Sequence, residues 1–457
     1  MQHRVLVVAA LALAACGQAS GLAAQVPSAQ PARKPNVVLI LSDDLGYGDL
    51  GAYGAPDART PNLDRLARQG ARLTDGYANG AVCTPTRAAL ISGRYQQRVG
   101  LEWVLTPAPP DRDRGLAASG TSLPALLKTS GYATALIGKW HLGFKPEFGP
   151  NRHGFDEFYG FLSGAHAYYG ASFGAEGTGP ADLYENTKPV EPTGYLTDEF
   201  TRRAVRFIGR HATRPFFLEV AYNAVHWPFE PPDQAPAPGP RGAPRRLFQM
   251  PDDSVPATRQ DYVRMLERMD EGVGEILAEL DRRGLTDHTL VIFTSDNGGE
   301  WLSRNAPFFH RKGTLWEGGI RVPLIMRWPG RIPAATTSAQ PVITFDISAT
   351  ILAATGTRPP AGHRADGIDV LPLLRGEVPL LDRNLFWRVS RATRQQRAVR
   401  AGRWKLLIDA GQLLLFDLGN DPGERIDLSA EHPEVVRRLR QLVSDWEAEV
   451  DQPARSR

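Results

Sequence analysis

The sequence predicts an α/β fold: a large mixed, mostly parallel sheet sandwiched by helices, with a smaller C-terminal α+β subdomain. Three observations predict it: apolar runs that look buried, helical patterns between them, and a change of character near residue 380. The runs Val37–Leu41, Thr134–Ile137, Phe216–Tyr222 and Leu290–Thr294 are short and apolar, as strands covered on both faces are. The plainest helical pattern is Gln260–Arg283. There Tyr262, Leu266, Met269, Val273, Ile276 and Leu280 recur every three or four residues, and Gly284 supplies a stop. Pro231–Pro244 is too rich in proline for regular structure and reads as a surface loop. Beyond residue 380, Ala398–Ile408 and Gln412–Leu418 look like two antiparallel strands. A final helix starting at Pro433 carries Val436, Leu439, Leu442, Val443 and Trp446 on one face.

Composition narrows the function. With 42% hydrophobic residues the 457-residue chain can bury a large core, which excludes disorder for most of it. Lys+Arg (53) and Asp+Glu (50) nearly balance and no basic stripe stands out, so no nucleic-acid partner is expected. Two cysteines exclude a disulfide scaffold. The 45 glycines and 37 prolines imply many loops, which suits an enzyme whose site is built from them.

At the N-terminus Arg4 precedes Val5–Ala15, an unbroken apolar run of 11 residues. A membrane span needs about 20. The run therefore reads as a signal-peptide core, with a short buried helix as the alternative. It ends Leu13-Ala14-Ala15-Cys16, which resembles the bacterial lipobox. That resemblance implies cleavage after residue 15, lipidation of Cys16 and a protein exported to the periplasm or cell surface. A plain signal peptide with an Ala-x-Ala-like cut is the alternative. Residues 16–35 are rich in Ala, Gln, Ser and Pro and read as a flexible tether. The membrane partner is then the lipid anchor alone.

Ligands of open α/β sheets bind outside the carboxyl ends of the strands. Asp43-Asp44 follow the first apolar run and Asp296-Asn297 the last. Lys139 and His141 follow the second, and His226 the third. If these strands are parallel neighbours, all of these groups meet at one edge. Asp43, Asp44, Asp296 and Asn297 are hard oxygen donors that suit Ca²⁺ or Mg²⁺. Aspartates after a strand also simply cap turns. Cys83 opens a helical segment with Pro85 in its first turn, Arg87 one turn on and Gly93 at its end. A lone cysteine is more often a small buried hydrophobe. At a helix N-terminus it also sits in a field that favours anions.

The stretch Cys83-Thr84-Pro85-Thr86-Arg87, followed by Leu90 and Ser92-Gly93-Arg94, resembles the signature of the type I sulfatases, within the alkaline phosphatase superfamily. Ser92 stands where Thr is common and Thr86 where Ser is common, and both keep the hydroxyl. Further blocks match in the family's order. They are SDDLGYGDLGAYG (42–54), GKWHLG (138–143), HGFDEFYG (153–160), His226 with Pro228, SDNGGE (295–300) and RKGTLWEGGIRVP (311–323). The tail LFDLGNDPGERIDLS (415–429) resembles the family's C-terminal subdomain. The resemblance implies a catalytic sulfatase domain over 36–380 and a subdomain over 381–457.

The resemblance also implies a site. Cys83 would be oxidised by a separate maturation enzyme to Cα-formylglycine, whose hydrate attacks sulfur with one hydroxyl and releases sulfate through the other. Asp43, Asp44, Asp296 and Asn297, with the modified Cys83, would hold one Ca²⁺ per chain. Arg87 and Lys139 would hold the diol, and Lys139, His226 and Lys312 would grip the sulfate oxygens. His226, with Lys312, would protonate the leaving oxygen, and His141 would take a proton to drive sulfate elimination. Ser163, His166 and His310 are candidates to line the substrate pocket. The implied activity is hydrolysis of sulfate monoesters by an arylsulfatase-like sulfuric ester hydrolase. Its substrates would be sulfated carbohydrates, with aryl sulfates as surrogates. Trp227, Trp301, Tyr168 and Tyr169 lie in candidate site loops that could meet a sugar or simply fill the core. Two other readings compete: a phosphonate monoester or phosphodiester hydrolase of the same superfamily, and a catalytically silent glycan-binding lipoprotein.

Overall fold

The computed structural model describes residues 33–169, 182–234, 257–391 and 394–452. The expected signal peptide, Cys16, nearly all of the tether and most of the Pro231–Pro244 loop lie outside the described residues. Among the described residues the strands are, in chain order, β1 (Asn36–Ser42), β2 (Ala71–Leu73), β3 (Gly76–Tyr77), β4 (Ala133–Lys139), β5 (Glu157–Phe161), β6 (Leu183–Glu185), β7 (Lys188–Pro189), β8 (Phe216–Ala221), β9 (Thr289–Ser295), β10 (Leu324–Arg327), β11 (Thr336–Ser338), β12 (Val342–Ile343), β13 (Asn384–Arg391), β14 (Arg394–Ala401), β15 (Trp404–Asp409) and β16 (Gln412–Asp417). The α-helices are α1 (Pro61–Arg68), α2 (Cys83–Ser92), α3 (Leu123–Thr129), α4 (Leu196–Arg210), α5 (Arg259–Arg282), α6 (Glu317–Ile320), α7 (Thr344–Thr355), α8 (Leu371–Leu374) and α9 (Pro433–Val450). No helix among the described residues is long and apolar enough to cross a membrane.

Ten strands form one sheet in the order β11-β2-β10-β9-β1-β8-β4-β5-β6-β7. The four apolar runs are β9, β1, β8 and β4, side by side at its centre and all parallel. Antiparallel pairing of β10 with β9 and β2, and of β6 with β5 and β7, makes the sheet mixed. Strand alternation sends Val38 and Ile40 to one face and Val37, Leu39 and Leu41 to the other. Phe200 and Phe207 of α4 and Leu266, Met269 and Val273 of α5 cover the first face. Leu90 of α2, Leu127 of α3 and Ile351 of α7 cover the second. Burying each such side chain fully is worth about 1.5–3 kcal/mol, which is why runs with no polar alternation are stable only here. Helix α5 begins in a capping box: Asp261 N–H and the Asp261 carboxylate exchange hydrogen bonds with the Thr258 side chain and backbone.

The register levels the carboxyl ends of the central strands. Leu41 lies opposite Ala221 of β8, Ser42 opposite Ser295 of β9, and Gly138 of β4 opposite Ala221. The loops that leave these strands therefore emerge along one edge.

A second, four-stranded antiparallel sheet runs β13-β14-β15-β16, with α9 laid on it through Val436, Leu439 and Val443. Ala398–Ile408, expected as one strand, is the end of β14 and most of β15, joined by a tight turn at Gly402 (φ 59°). The strand pattern on either side is continuous, so only the left-handed glycine marks the reversal. Buried charge ties β15 of this sheet to α6 and to β3, which pairs with β12 in a separate two-stranded sheet. Lys405 Nζ lies 2.9 Å from Glu317 Oε1 and 2.7 Å from Glu424 Oε1, and Tyr77 OH donates to Glu317 Oε2 at 2.7 Å. Burial opposes ionisation of Glu317, yet Lys405, Arg321 and Arg400 outweigh it and hold the carboxyl well below its usual range.

Candidate active site

Two backbone hydrogen bonds clamp the exit of β1 to the exit of β8: Asp43 N–H donates to Ala224 O (3.0 Å) and Val225 N–H to Asp43 O (2.8 Å). On the other side Asp296 N–H donates to Ser42 O (3.2 Å) and Leu45 N–H to Ser295 Oγ (3.1 Å). These contacts bring Asp43, Asp44, Asp296 and Asn297 together, all buried. Asn297 Nδ2 donates to Asp44 Oδ1 (2.7 Å) and to Gly298 O (2.9 Å). Its buried Oδ1 accepts nothing.

Cations surround the carboxylates. Lys139, at the end of β4, donates from Nζ to Asp43 Oδ2 at 2.5 Å. Lys312 donates to Asp44 at 2.8 Å and lies 3.7 Å from Glu300. Arg87, one turn into α2, grips Asp296 Oδ2 through Nε (2.9 Å) and Nη2 (2.8 Å), and its Nη1 donates to Lys139 O (3.0 Å). Burial pushes the Asp44 carboxyl up, but Lys312, His226 and Lys139 overcome it and hold it at about 2. Asp296 goes the other way, to about 6, because burial and the charge of Asp43 outweigh Arg87.

Cys83 is the first residue of α2, which ends at the left-handed Gly93. Its Sγ lies 3.6 Å from Asp43 Oδ1. Burial pushes its thiol up to about 12, so an unmodified Cys83 is protonated and a weak nucleophile at neutral pH. Ligand atoms of Asp43, Asp44, Cys83 and His226 all lie within 4.8 Å of one another. His226 Nδ1 is 2.6 Å from Trp227 O, and its Nε2 is 3.6 Å from Asp44 Oδ2. A proton on Nδ1 is therefore committed to the carbonyl, which leaves Nε2 for chemistry. Burial and the charge of Lys312 push this imidazole down to about 3. His141 has the mirror arrangement. Its Nε2 is 2.9 Å from Leu105 O, and its buried Nδ1 has no partner. Burial, then Lys139, holds it well below the usual histidine range.

Cys83, His141, His226 and Lys312 form the floor of a cavity of about 420 Å³, within the roughly 300–1,000 Å³ of ligand pockets. Trp103 to Pro107 build one wall, and Ser163, Ala165 and Trp227 stand in others. Glu300 and Arg391 also line it. Trp301 packs beside Trp227 with ring centroids 6.3 Å apart. His166 lies elsewhere, buried against Phe161, with Nδ1 2.7 Å from Ala167 O. His310 is exposed and packs edge-on against Phe309. Tyr168 is fully buried, its hydroxyl bonded to Asn223 O and His226 O. Tyr169 bonds through its hydroxyl to Pro231 O at 3.1 Å. Sequence reasoning did not find Trp103 or Arg391, which belong to no chemical motif. Glu300 stood inside a quoted block without a role.

An open α/β sheet with a charged cluster at the carboxyl edge of its central strands defines an enzyme of the doubly wound class. Comparison with known proteins narrows it. Residues 35–357 match the family model "Sulfatase", and residues 306–449 the model "N-sulphoglucosamine sulphohydrolase, C-terminal". N-acetylgalactosamine-6-sulfatase of Mus musculus is 33% identical, over 97% of this chain and 89% of its own. Steryl-sulfatase of Mus musculus is also 33% identical, over 93% and 83%. The solved structure of Ps i-CgsB in complex with k-i-k-neocarrahexaose is similar at 32% identity, with a TM-score of 0.81 over 92% of this chain and 94% of that one. The chain belongs to the sulfatase family and is a sulfuric ester hydrolase.

Proposed function

We propose that the protein hydrolyses sulfate monoesters of carbohydrates, with Cys83 matured to formylglycine and Ca²⁺ held by Asp43, Asp44, Asp296 and Asn297. The observation that carries this is the ring of buried carboxylates, lysines and histidines around Cys83 on the floor of an open cavity. The donor set fits a hard cation. It offers three carboxylates and one unsatisfied amide oxygen, and Asp296, raised by burial and then by the charge of Asp43, stands in an anionic cluster that a cation relieves. Bound there, Ca²⁺ supplies Lewis-acid stabilisation of charge on sulfate oxygen. The formylglycine hydrate supplies the nucleophilic hydroxyl and a second hydroxyl for release.

The chain's own groups do the rest. Lys139 and Lys312 bind sulfate oxygens, and Arg87, anchored on Asp296, balances charge at residue 83. Protonation of the leaving oxygen falls to His226 with Lys312: His226 Nε2 is bare, so Lys312, held charged by Asp44, supplies the proton and His226 Nε2 passes it on. His141 keeps its proton on Nε2 against Leu105 O, so its unpartnered Nδ1 can accept one. In the same reading residues 36–380 hold this machinery and 381–457 close the pocket's rim. Similarity to N-acetylgalactosamine-6-sulfatase and to a structure holding a neocarrahexaose supports a saccharide substrate. Residues 1–16 supply export and a lipid anchor in the periplasm or at the cell surface, where such polymers occur.

The test starts with the peptide containing Cys83, from protein made in its native host. Conversion to formylglycine removes about 18 Da. An unchanged thiol overturns the mechanism. The matured enzyme is then assayed on sulfated saccharides and on an aryl sulfate, before and after chelation of Ca²⁺. Turnover that survives complete removal of the ion rejects the metal assignment.

A further inference from the structure

We propose that the pocket takes a saccharide carrying a second anionic group, a sulfate ester or a uronate carboxylate, beside the ester that is cleaved, and that Arg391 recognises it. This rests on the carbohydrate reading above and adds the charge pattern of the substrate.

The floor has little positive charge to spare. Lys139 is paired with Asp43, Lys312 with Asp44, and Arg87 with Asp296. Arg391 differs. It is the last residue of β13, it is exposed, and it lines the same cavity. Among the described residues no carboxylate lies within salt-bridge distance of it. Arg388, three positions earlier on the same strand, is bound by Glu102, Glu447 and Asp451. One arginine of this strand is thus fully neutralised by the protein, and the other is left open at the pocket.

Arg391 is nonetheless held in place. Its guanidinium sits 5.0 Å over the ring of Trp103, a cation–π contact that orients it while its donors stay available. A planar fork with free N–H groups matches the oxygens of a sulfate or carboxylate. Trp103 begins the wall that reaches down to Leu105, whose carbonyl is 2.9 Å from His141 Nε2. Arg391, stacked over the Trp103 ring, therefore lines the same cavity as Cys83, His141, His226 and Lys312. A second anion on the neighbouring sugar meets it there.

The test uses the matured enzyme, the Arg391→Gln and Arg391→Lys variants, and three disaccharides that share one cleavable sulfate. The neighbouring sugar is neutral in the first, sulfated in the second and a uronate in the third. The wild type is expected to prefer a doubly charged substrate in kcat/KM by tenfold or more, a difference of about 1.4 kcal/mol. Arg391→Gln brings that ratio close to one, and Arg391→Lys keeps part of it. The arm that collapses, sulfate or uronate, identifies the group. Added salt shrinks the wild-type preference, because the charge sits at an exposed rim.

An unaltered ratio in Arg391→Gln, or no preference in the wild type, overturns the proposal. Cleavage of the neutral-neighbour disaccharide then still supports the carbohydrate reading. Cleavage of an aryl sulfate with no saccharide cleaved overturns both. Should Arg391→Gln fail to fold, binding of the same disaccharides to the Cys83→Ala protein decides. A salt-insensitive gap in affinity between singly and doubly charged ligands rejects the role of Arg391.

Discussion

Glu219 is the odd residue of β8. It lies opposite Leu39 of β1 and Leu136 of β4, on the apolar face that α2 covers. Its Oε2 has no hydrogen-bond partner. Burial pushes its carboxyl up to about 7, with only the charge of Arg87 pulling it back. An acid whose folded pKa is raised costs nothing below its unfolded value and its full penalty above the folded one. The wild type therefore loses stability as pH rises from about 4.5 to about 7. Glu219→Gln is expected to be more stable by roughly 3 kcal/mol at pH 8 and by almost nothing at pH 4. Denaturant unfolding at the two pH values checks this, and an equal gain at both rejects it. Arg87 gives a second expectation at this scale. Lysine cannot make its paired contacts to Asp296 together with the bond to Lys139 O. Arg87→Lys should lower kcat of the matured enzyme on the order of 100-fold. Steady-state kinetics with an aryl sulfate measures it, and a loss confined to KM contradicts the role proposed for Arg87.

At the scale of elements, the close approach of β4 to β8 depends on Gly138. Its φ is +119°, and a Cβ there would stand 1.9 Å from Ala221 O. Gly138→Ala must displace the strand end that carries Lys139 and His141. A loss of about 3 kcal/mol or more is expected, with activity falling further than stability. Urea unfolding alongside an activity assay tests this. A variant of normal stability and normal rate would show that the strand end has slack. The central elements were legible because β1, β4, β8 and β9 are buried on both faces, so their sequences lack polar alternation. The clusters around Cys83 were legible for a related reason: parallel strands deliver the loops at their carboxyl ends to one edge. The rim was not. Trp103 lies in an irregular loop, and Arg391 comes from a different sheet almost 300 positions later in the chain. β13 and the turn at Gly402 escaped notice because the tail's strands follow one another closely in sequence, with no long polar break to mark each reversal.

For the molecule as a whole, a buried ionic node ties the four-stranded sheet to α6. Lys405 is the counter-charge of both Glu317 and Glu424, and all three side chains are inaccessible to solvent. Lys405→Met takes the shared cation from two buried carboxylates, stranding Glu424 and leaving Glu317 with Arg321 (3.0 Å) as its remaining ion pair. The expected cost is about 3–5 kcal/mol at neutral pH, because removing one partner leaves the other charge uncompensated. Acidification protonates the stranded acid, so part of the loss returns as pH falls toward 5. Hydrogen exchange should show β13–β16 opening before the central strands. Uniform opening of both sheets would argue that the node does not govern how the smaller one is attached.

Cys83 is only 1% exposed. Cys83 meets solvent only at the floor of the cavity, so on the maturation proposed above a second enzyme has its widest access to the thiol in the interval between synthesis and closure of the sheet. That interval is long for a topological reason. β1 pairs with β9 across 253 positions, and such distant partners meet late. On the proposed maturation of Cys83, folding speed becomes a timing device: a faster-folding variant is expected to yield more protein and a smaller share of working enzyme.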